Sequence, residues 1–249
     1  MKIVGLEPCS FIDYPGKLSA VVFTAGCNLN CFYCHNRPLI RGESLLTLIS
    51  ADYVTTWLAR RQGLLDGVVI TGGEPTLQPD LAEFVRMVRA KGYLVKVDTN
   101  GTRPGVLGAL IEEGIVDYVA MDVKAPPSKY AGICDVPVDL EAIGASIGLL
   151  KRGNVDYEFR TTAIPQLTES DLLAIGQWVE GARKLVLQQY RRPEVDASAG
   201  PLATDPRLDV PPHEDTWPLG VIAQLETLVE RCETRGFTQP QAAAEATAA

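Results

Sequence analysis

The sequence predicts an α/β fold: a partial (β/α)6 TIM-like barrel of six strand–helix units, followed by one C-terminal helix. Three observations carry that prediction. Short β-branched runs alternate with amphipathic stretches along the chain, which is the rhythm of successive β/α units and not of hairpins. Pro79 and Pro104 stand where helices begin, and Gly92 and Gly114 where they end. Right-handed crossovers between parallel strands then curl the units in one sense.

Taken in order, the first strand reads Ser19 to Thr24, and Ser50 caps a helix from Ala51 to about Gln62. A loop holding three cysteines lies between them. Gly67 to Thr71 is the second strand; its helix opens at Pro79, carries Leu81, Phe84, Val85 and Val88 on one face, and stops at Gly92. Tyr93 to Val97 is the third strand, followed by a helix from Pro104 to Glu113, and Tyr118 to Asp122 is the fourth. After the turn at Pro126 and Pro127, the residues Leu140, Ile143, Ile147 and Leu150 recur at helical spacing as far as Arg152. Val155 to Thr162 makes strand five, Thr168 caps a helix over Asp171 to Glu180, and Lys184 to Gln189 makes strand six.

Residues 1–192 therefore read as one core domain. Residues 193–238 read as a Pro- and Asp-rich surface loop and a helix that packs on the core through Val221, Ile222, Leu225, Leu228, Val229 and Cys232. Residues 239–249, without aromatic or β-branched core formers, read as a disordered tail. There is no internal repeat beyond the β/α rhythm.

A hydrophobic fraction of 46% over 249 residues is enough to bury a sizeable core. The net charge of −8 disfavours a nucleic-acid partner, because phosphate contacts need clustered Lys and Arg. No apolar run reaches the roughly 20 residues that cross a bilayer, and the first residues lack the basic flank and apolar core of a secretory signal. The expectation is a cytoplasmic protein with no membrane contact. In that compartment six cysteines are not a disulfide framework, and their spacing suggests metal.

Three of the six fall in Cys27-Asn-Leu-Asn-Cys31-Phe-Tyr-Cys34, directly after the first predicted strand and so at the end of the barrel where chemistry sits. Structural zinc wants four protein ligands, usually in two separated pairs, and no second CxxC pair exists. Adjacent His35 would have to turn to the same ion as Cys34, which chain geometry makes difficult, while Cys9 stays open as a fourth donor. A 4Fe-4S cubane held by three thiolates instead keeps one iron without a protein ligand, the open position that substrate binding needs; an electron-transfer ferredoxin site would supply the fourth cysteine.

Further polar groups fall at other strand ends. Gly72-Gly73-Glu74-Pro75 follows strand two, where paired glycines let a ligand approach the backbone or simply make a strand-to-helix turn. Asp98-Thr99-Asn100 ends strand three and Asp122-Val-Lys124 ends strand four; these are either ligand-binding groups, an Asp122–Lys124 ion pair or a solvated loop. Arg160 lies inside the apolar fifth strand and needs an anion, either an internal acid or a ligand carboxylate; Glu158, two residues away on the same strand, is poorly placed to clasp it.

The CxxxCxxC spacing with aromatic Tyr33 before the last cysteine resembles the signature of the radical S-adenosylmethionine superfamily. Asp13-Tyr14-Pro15-Gly16-Lys17, Cys34-His35-Asn36-Arg37-Pro38 and Leu187-Gln188-Gln189-Tyr190-Arg191 look like the activating proteins of anaerobic ribonucleoside-triphosphate reductase and the related pyruvate formate-lyase activases, over about Lys2 to Arg192. The resemblance implies Cys27, Cys31 and Cys34 as cluster ligands and S-adenosyl-L-methionine as cosubstrate, its amine and carboxylate on the open iron. It implies that Gly72, Gly73, Glu74 and Pro75 cradle the methionine amine, and that Asp98, Thr99, Asn100, Asp122 and Lys124 contact the carboxylate and ribose, with a monovalent cation at Asp98 and Asp122 as a further option. Arg160 would meet the carboxylate. Gln188 or Gln189 would reach the ribose, a departure from related activases that carry a His in this region. The implied partners are a glycyl radical enzyme as protein substrate and a low-potential electron donor such as flavodoxin or ferredoxin; a small-molecule or peptide substrate is the alternative, and a non-catalytic iron–sulfur or zinc binding module the minor one.

Other residues have plainer readings. Cys232 reads as a core residue of the last helix, Cys134 as an exposed loop residue, Cys9 as inert, and His213 has no visible partner.

Overall fold

The computed structural model describes residues 1–40, 47–193 and 205–237. Its centre is an eight-stranded sheet whose strands lie side by side in chain order: β1 (Ile3–Ser10), β2 (Ser19–Thr24), β3 (Gly67–Gly72), β4 (Leu94–Thr99), β5 (Tyr118–Asp122), β6 (Asp156–Ala163), β7 (Leu185–Gln189) and β8 (Cys232–Arg235). β1 runs antiparallel to β2, and every later neighbour pair is parallel. All six predicted strands are present, so the sheet is the parallel, partly closed barrel that the β/α alternation implies.

The helices are α1 (Arg37–Ile40), α2 (Ala51–Ala59), α3 (Leu81–Arg89), α4 (Pro104–Glu112), α5 (Tyr130–Cys134), α6 (Leu140–Lys151), α7 (Glu169–Trp178) and α8 (Leu219–Leu225). Local chemistry starts them where the sequence says. The Ser50 hydroxyl accepts from the Tyr53 amide at 3.1 Å, and Thr168 and Asp171 form a reciprocal capping box at the head of α7. Pro79 stands two residues before α3 instead of opening it, and α2 stops at Ala59, short of Gln62.

Three elements differ from the sequence reading, each for a physical reason. β1 went unread because Glu7-Pro8-Cys9 breaks its alternation; as an edge strand it tolerates a proline without an amide, and its register shifts between Glu7 and Ser10. α5 is five residues long, too short for a periodic pattern, and it makes Cys134 a fully buried residue, not an exposed one. The C-terminal helix ends at Leu225, and Cys232 lies in β8 against Leu185 of β7. A four-residue strand shows no usable alternation, and Leu228 and Val229 only mimic continued helical spacing. The predicted tail, 239–249, lies outside the described residues, as do residues 194–204 of the Pro- and Asp-rich loop.

Burial separates the two faces of the sheet. The outward face packs α2, α3, α4, α6, α7 and α8 into one large apolar core, with Val85, Leu107, Ile143, Ile175 and Val221 all buried. The inward face holds a smaller cluster of Tyr14, Val21 and Val69, flanked by Phe23, Leu94 and Tyr118. Tyr14, from the Asp-Tyr-Pro-Gly segment, enters at the amino ends of the strands and stacks at 5.9 Å on Tyr118. A Cβ at Gly67 would lie 3.1 Å from the Tyr14 ring, so the plug needs glycine there. Aromatic rings thus fill the amino end of the interior, and the polar cavity lies at the carboxyl ends of the strands.

Candidate active site

Six consecutive parallel strands, β2 to β7, deliver their polar termini to one cavity of about 270 Å³. Every residue singled out as a ligand in the sequence lines it, with the exceptions of Pro75, which is buried in the 3-10 turn behind it, and Gln189.

The cysteine loop leaves β2 at Thr24 and is held by its own backbone. The Cys34 amide donates to the Cys31 carbonyl at 3.2 Å, Arg37 donates to the Cys31 carbonyl at 2.8 Å, and the Asn30 amide reaches the Cys134 carbonyl of α5 at 3.0 Å. Cys27, Cys31 and Cys34 all face the cavity. Burial pushes the Cys27 thiol up to about 11 and raises Cys34 as well. The neighbouring Cys134 thiol, 3.7 Å away, together with Lys124 brings Cys31 down to about 7. Three thiols at one cavity, two of them held protonated by burial, are a soft donor set that a metal group would ionise and share, so the donors fit an iron–sulfur cluster. Among the described residues no three His, Cys, Asp or Glu side chains converge on one ion position, as mononuclear zinc would need. A cubane takes one thiolate per iron and needs no such convergence. Cys9 is exposed on β1 and away from the cavity lining, which removes it as a fourth donor.

The glycine pair lines the cavity and also makes a backbone contact that its sequence does not show. Gly72 adopts φ +108°, and a Cβ at Gly73 would sit 1.9 Å from the Gly26 carbonyl oxygen. The Gly73 amide donates to Thr24 and the Glu74 amide to Gly26, both at 2.8 Å, so the turn is stitched directly to the cysteine loop. Gly73→Ala is therefore expected to push the two loops apart and cost at least about 3 kcal/mol at a site without room to relax. Urea unfolding of the metal-free chain measures it; a change below about 1 kcal/mol would show that the contact is dispensable.

Glu74 is buried, and its carboxylate is spent within the protein. One oxygen accepts from the Thr76 amide and hydroxyl (3.1 and 2.6 Å) and from the Thr99 hydroxyl (2.8 Å), and the other accepts from the Asn100 amide (2.7 Å). Burial raises its pKa above the usual carboxylate value, and the four donors offset part of that shift. Glu74 thus joins the end of β3 to the end of β4. Asn100 in turn donates to Asn28 at 3.0 Å and lies 3.8 Å from the Cys27 sulfur.

Below this level lies a largely buried chain of charges, Lys96–Asp98–Arg160–Asp122–Lys124, of which Lys96 is fully buried and the other four are partly exposed to the cavity. Lys96 pairs with Asp98; Arg160 reaches Asp98 at 3.1 Å and Asp122 at 2.9 Å; Lys124 holds Asp122 at 2.8 Å. Burial favours protonating both aspartates, but Arg160 and the lysines outweigh it and hold both carboxyls below their usual range. The internal-acid alternative for Arg160 is therefore the observed one, and Glu158 pairs with Arg235 at 3.0 Å. The suggested monovalent cation at Asp98 and Asp122 is not supported, since three side-chain cations already meet those two carboxylates. Lys96, 1% exposed, was missed because a lysine in an alternating strand reads as solvent-facing; its place two residues before Asp98 was the available signal.

The glutamines separate cleanly: Gln188 lines the cavity, while Gln189 donates to Asp215 at 2.6 Å. Asn36, Thr71 and Thr162 also line it and were given no role in the sequence reading, although Asn36 stands in the Cys34-His35-Asn36-Arg37-Pro38 run, which was the available signal. Asn36 donates to the Gly72 carbonyl at 3.0 Å, a third tie between the cysteine and glycine loops.

The arrangement was compared with known proteins. The Streptococcus suis SuiB structure bound to S-adenosylmethionine superposes with a TM-score of 0.62 at 15% identity, covering 87% of this chain and 50% of that one, a likeness of fold. A Methanocaldococcus jannaschii protein with the provisional name of glycyl-radical enzyme activating enzyme is 38% identical over 199 residues, 76% of this chain and 79% of its own length. A Pyrococcus horikoshii protein named as a probable GTP 3',8-cyclase is 38% identical over 101 residues, 40% of this chain and 31% of its own length. Among the described residues no helix is long and apolar enough to cross a membrane. The sequence model of the radical SAM superfamily matches residues 21–179, the span from β2 through α7 that builds the cavity, and the chain belongs to that superfamily.

Proposed function

We propose that Cys27, Cys31 and Cys34 hold a 4Fe-4S cluster, that S-adenosyl-L-methionine binds beside it in the cavity, and that the reaction removes hydrogen from a backbone glycine of a partner enzyme. The observation that carries this reading is the single cavity shared by the three thiols, the Gly72–Gly73 backbone and the buried charges. When bound, the cluster supplies the electron that breaks the sulfonium bond, yielding a 5'-deoxyadenosyl radical as the hydrogen acceptor.

The chain's own work is binding and orientation. Lys124 and Arg160, already fixed by Asp122, present cationic donors toward a carboxylate. Gly72, Gly73, Thr99 and Asn100 offer backbone and short polar groups at the mouth for the amine, while Gln188 stands on β7 for the ribose. Tyr33, buried and edge-on to Phe32 at 5.4 Å, makes the apolar wall beside Cys34. Residues 1–192 are assigned the chemistry, and the described part of 193–238 packs on them through Val221 and Leu225 of α8 and through β8. A cytoplasmic site of action with a low-potential flavodoxin or ferredoxin as reductant fits the reduced thiols.

The size of the cavity favours a protein substrate. At about 270 Å³ it lies at the lower end of small-molecule sites, and a cluster with its cosubstrate would occupy most of it. The hydrogen donor must then come in from the mouth, as a loop of another protein does. The relationship to the cyclase supports the second reading, a small-molecule substrate. The two are separated by mixing the reconstituted, dithionite-reduced protein and S-adenosylmethionine with glycyl-radical-enzyme candidates from the same genome. A glycyl doublet in electron paramagnetic resonance is the expected result; cosubstrate cleavage without a doublet for any candidate transfers the assignment to the small-molecule class.

A further inference from the structure

Cys134 belongs to no motif, yet its sulfur lies 3.7 Å from that of Cys31, and this is the one thiol pair in contact among the described residues. Three separate ties hold the two segments in that position. The Asn30 amide donates to the Cys134 carbonyl at 3.0 Å. Arg207 binds the carboxylate of Asp135, next to Cys134, through two hydrogen bonds of 2.8 and 2.7 Å. The same guanidinium lies 4.2 Å above the ring of Phe32, next to Cys31. One arginine thus clamps the chain neighbours of both cysteines.

We propose that Cys31 and Cys134 form a reversible disulfide when Cys31 carries no iron. Cys31 lines the cavity and is reached first by a small oxidant; Cys134 is fully buried behind it. Hydrogen peroxide, as the oxidant, transfers one oxygen to the Cys31 sulfur, leaving a sulfenic acid and one water. The Cys134 thiol then attacks that sulfur; the S–O bond breaks, the S–S bond forms, and the departing hydroxide takes the thiol proton as a second water. Two electrons leave the two sulfurs and reduce one peroxide. Closing to a bond of about 2.05 Å asks for a small side-chain adjustment of two groups already in contact. The pairing itself depends only on this geometry; its consequence, keeping a cluster ligand from the irreversible sulfinic and sulfonic stages, rests on the function proposed above.

The test uses full-length protein stripped of iron by a chelator without oxygen, treated with one equivalent of hydrogen peroxide, blocked with a maleimide and mapped by mass spectrometry without reduction. A linked pair of peptides containing Cys31 and Cys134, lighter by two hydrogens, is expected to predominate, and dithiothreitol should restore full iron uptake. Cys134→Ser should lose the link, show Cys31 carrying added oxygen, and fail to regain most of its iron. Linkage of Cys31 to Cys27 or Cys34, or unlinked oxidised Cys31 in the unaltered chain, would overturn the proposal, and this map needs no variant to fold. Iron uptake by the untreated chain is read separately: its failure sinks the cluster assignment and leaves the disulfide result standing.

Discussion

Cys31→Ala is expected to abolish reductive cleavage of S-adenosylmethionine and to reduce reconstituted iron from about four per chain to well under one. The cause is the count of donors. With three thiolates a cubane keeps one iron open, and with two it has no stable seat in this loop. Cys31 is the middle donor of the loop and the most deeply buried of the three, and the thiol near enough to replace it is Cys134 at 3.7 Å, so Cys31→Ala/Cys134→Ala is the control for substitution of the ligand. The substitution removes one small buried group, and folding should survive with a loss of about 1 kcal/mol. Loss of iron with retained folding, by metal analysis and circular dichroism, is therefore the signature. Cys9→Ser, at an exposed position on β1, should leave the iron unchanged. Full iron and full cleavage in the doubly substituted chain would remove Cys31 from the ligand set.

Arg160→Met is expected to cost about 3–5 kcal/mol of folding stability at pH 7, because it leaves a buried chain of charges broken at its centre. Arg160 binds Asp98 and Asp122 at once; without it each carboxylate keeps one lysine and loses its other cation. The pH dependence has a definite sign. Both aspartates are held below their usual range in the folded chain, so the stability they contribute is present above the unfolded value of about 4 and is lost as pH falls through the folded values. In the variant that depression is relieved, and protonation discharges the stranded carboxylates at higher pH. The gap between the parent and Arg160→Met should therefore stay level from pH 7 down to about 4 and narrow below it, as read by urea unfolding of the metal-free chains. A gap below about 1 kcal/mol, or one that does not change with pH, would mean that the pairs are screened surface contacts after all.

The motifs legible in the sequence were those that the chain makes locally. Cys27, Cys31 and Cys34 share one loop, Gly72 to Glu74 share one turn, and Asp98, Asp122 and Arg160 each lie within a run whose strand character is visible in its own residues. Placing all of them at the carboxyl ends of parallel strands needed only the β/α rhythm and the handedness of its crossovers. The readings that failed concerned elements too short for a period to show, namely α5 and β8, and an edge strand interrupted by Pro8.

What pairs with what was decided by the tertiary structure. Arg160 meets Asp122 because β5 and β6 are neighbours in a register that sets those two residues side by side. Gln188 and not Gln189 faces the cavity because successive residues of β7 point to opposite sides of the sheet, and only the curvature of the barrel says which side is inside. Cys134 reaches Cys31 across 103 positions of sequence through contacts that neither segment encodes alone. Sequence spacing fixes which side chains share a face over a few residues, since covalent geometry and hydrogen-bond period are local. Partners brought together by strand order and register are a property of the packed whole.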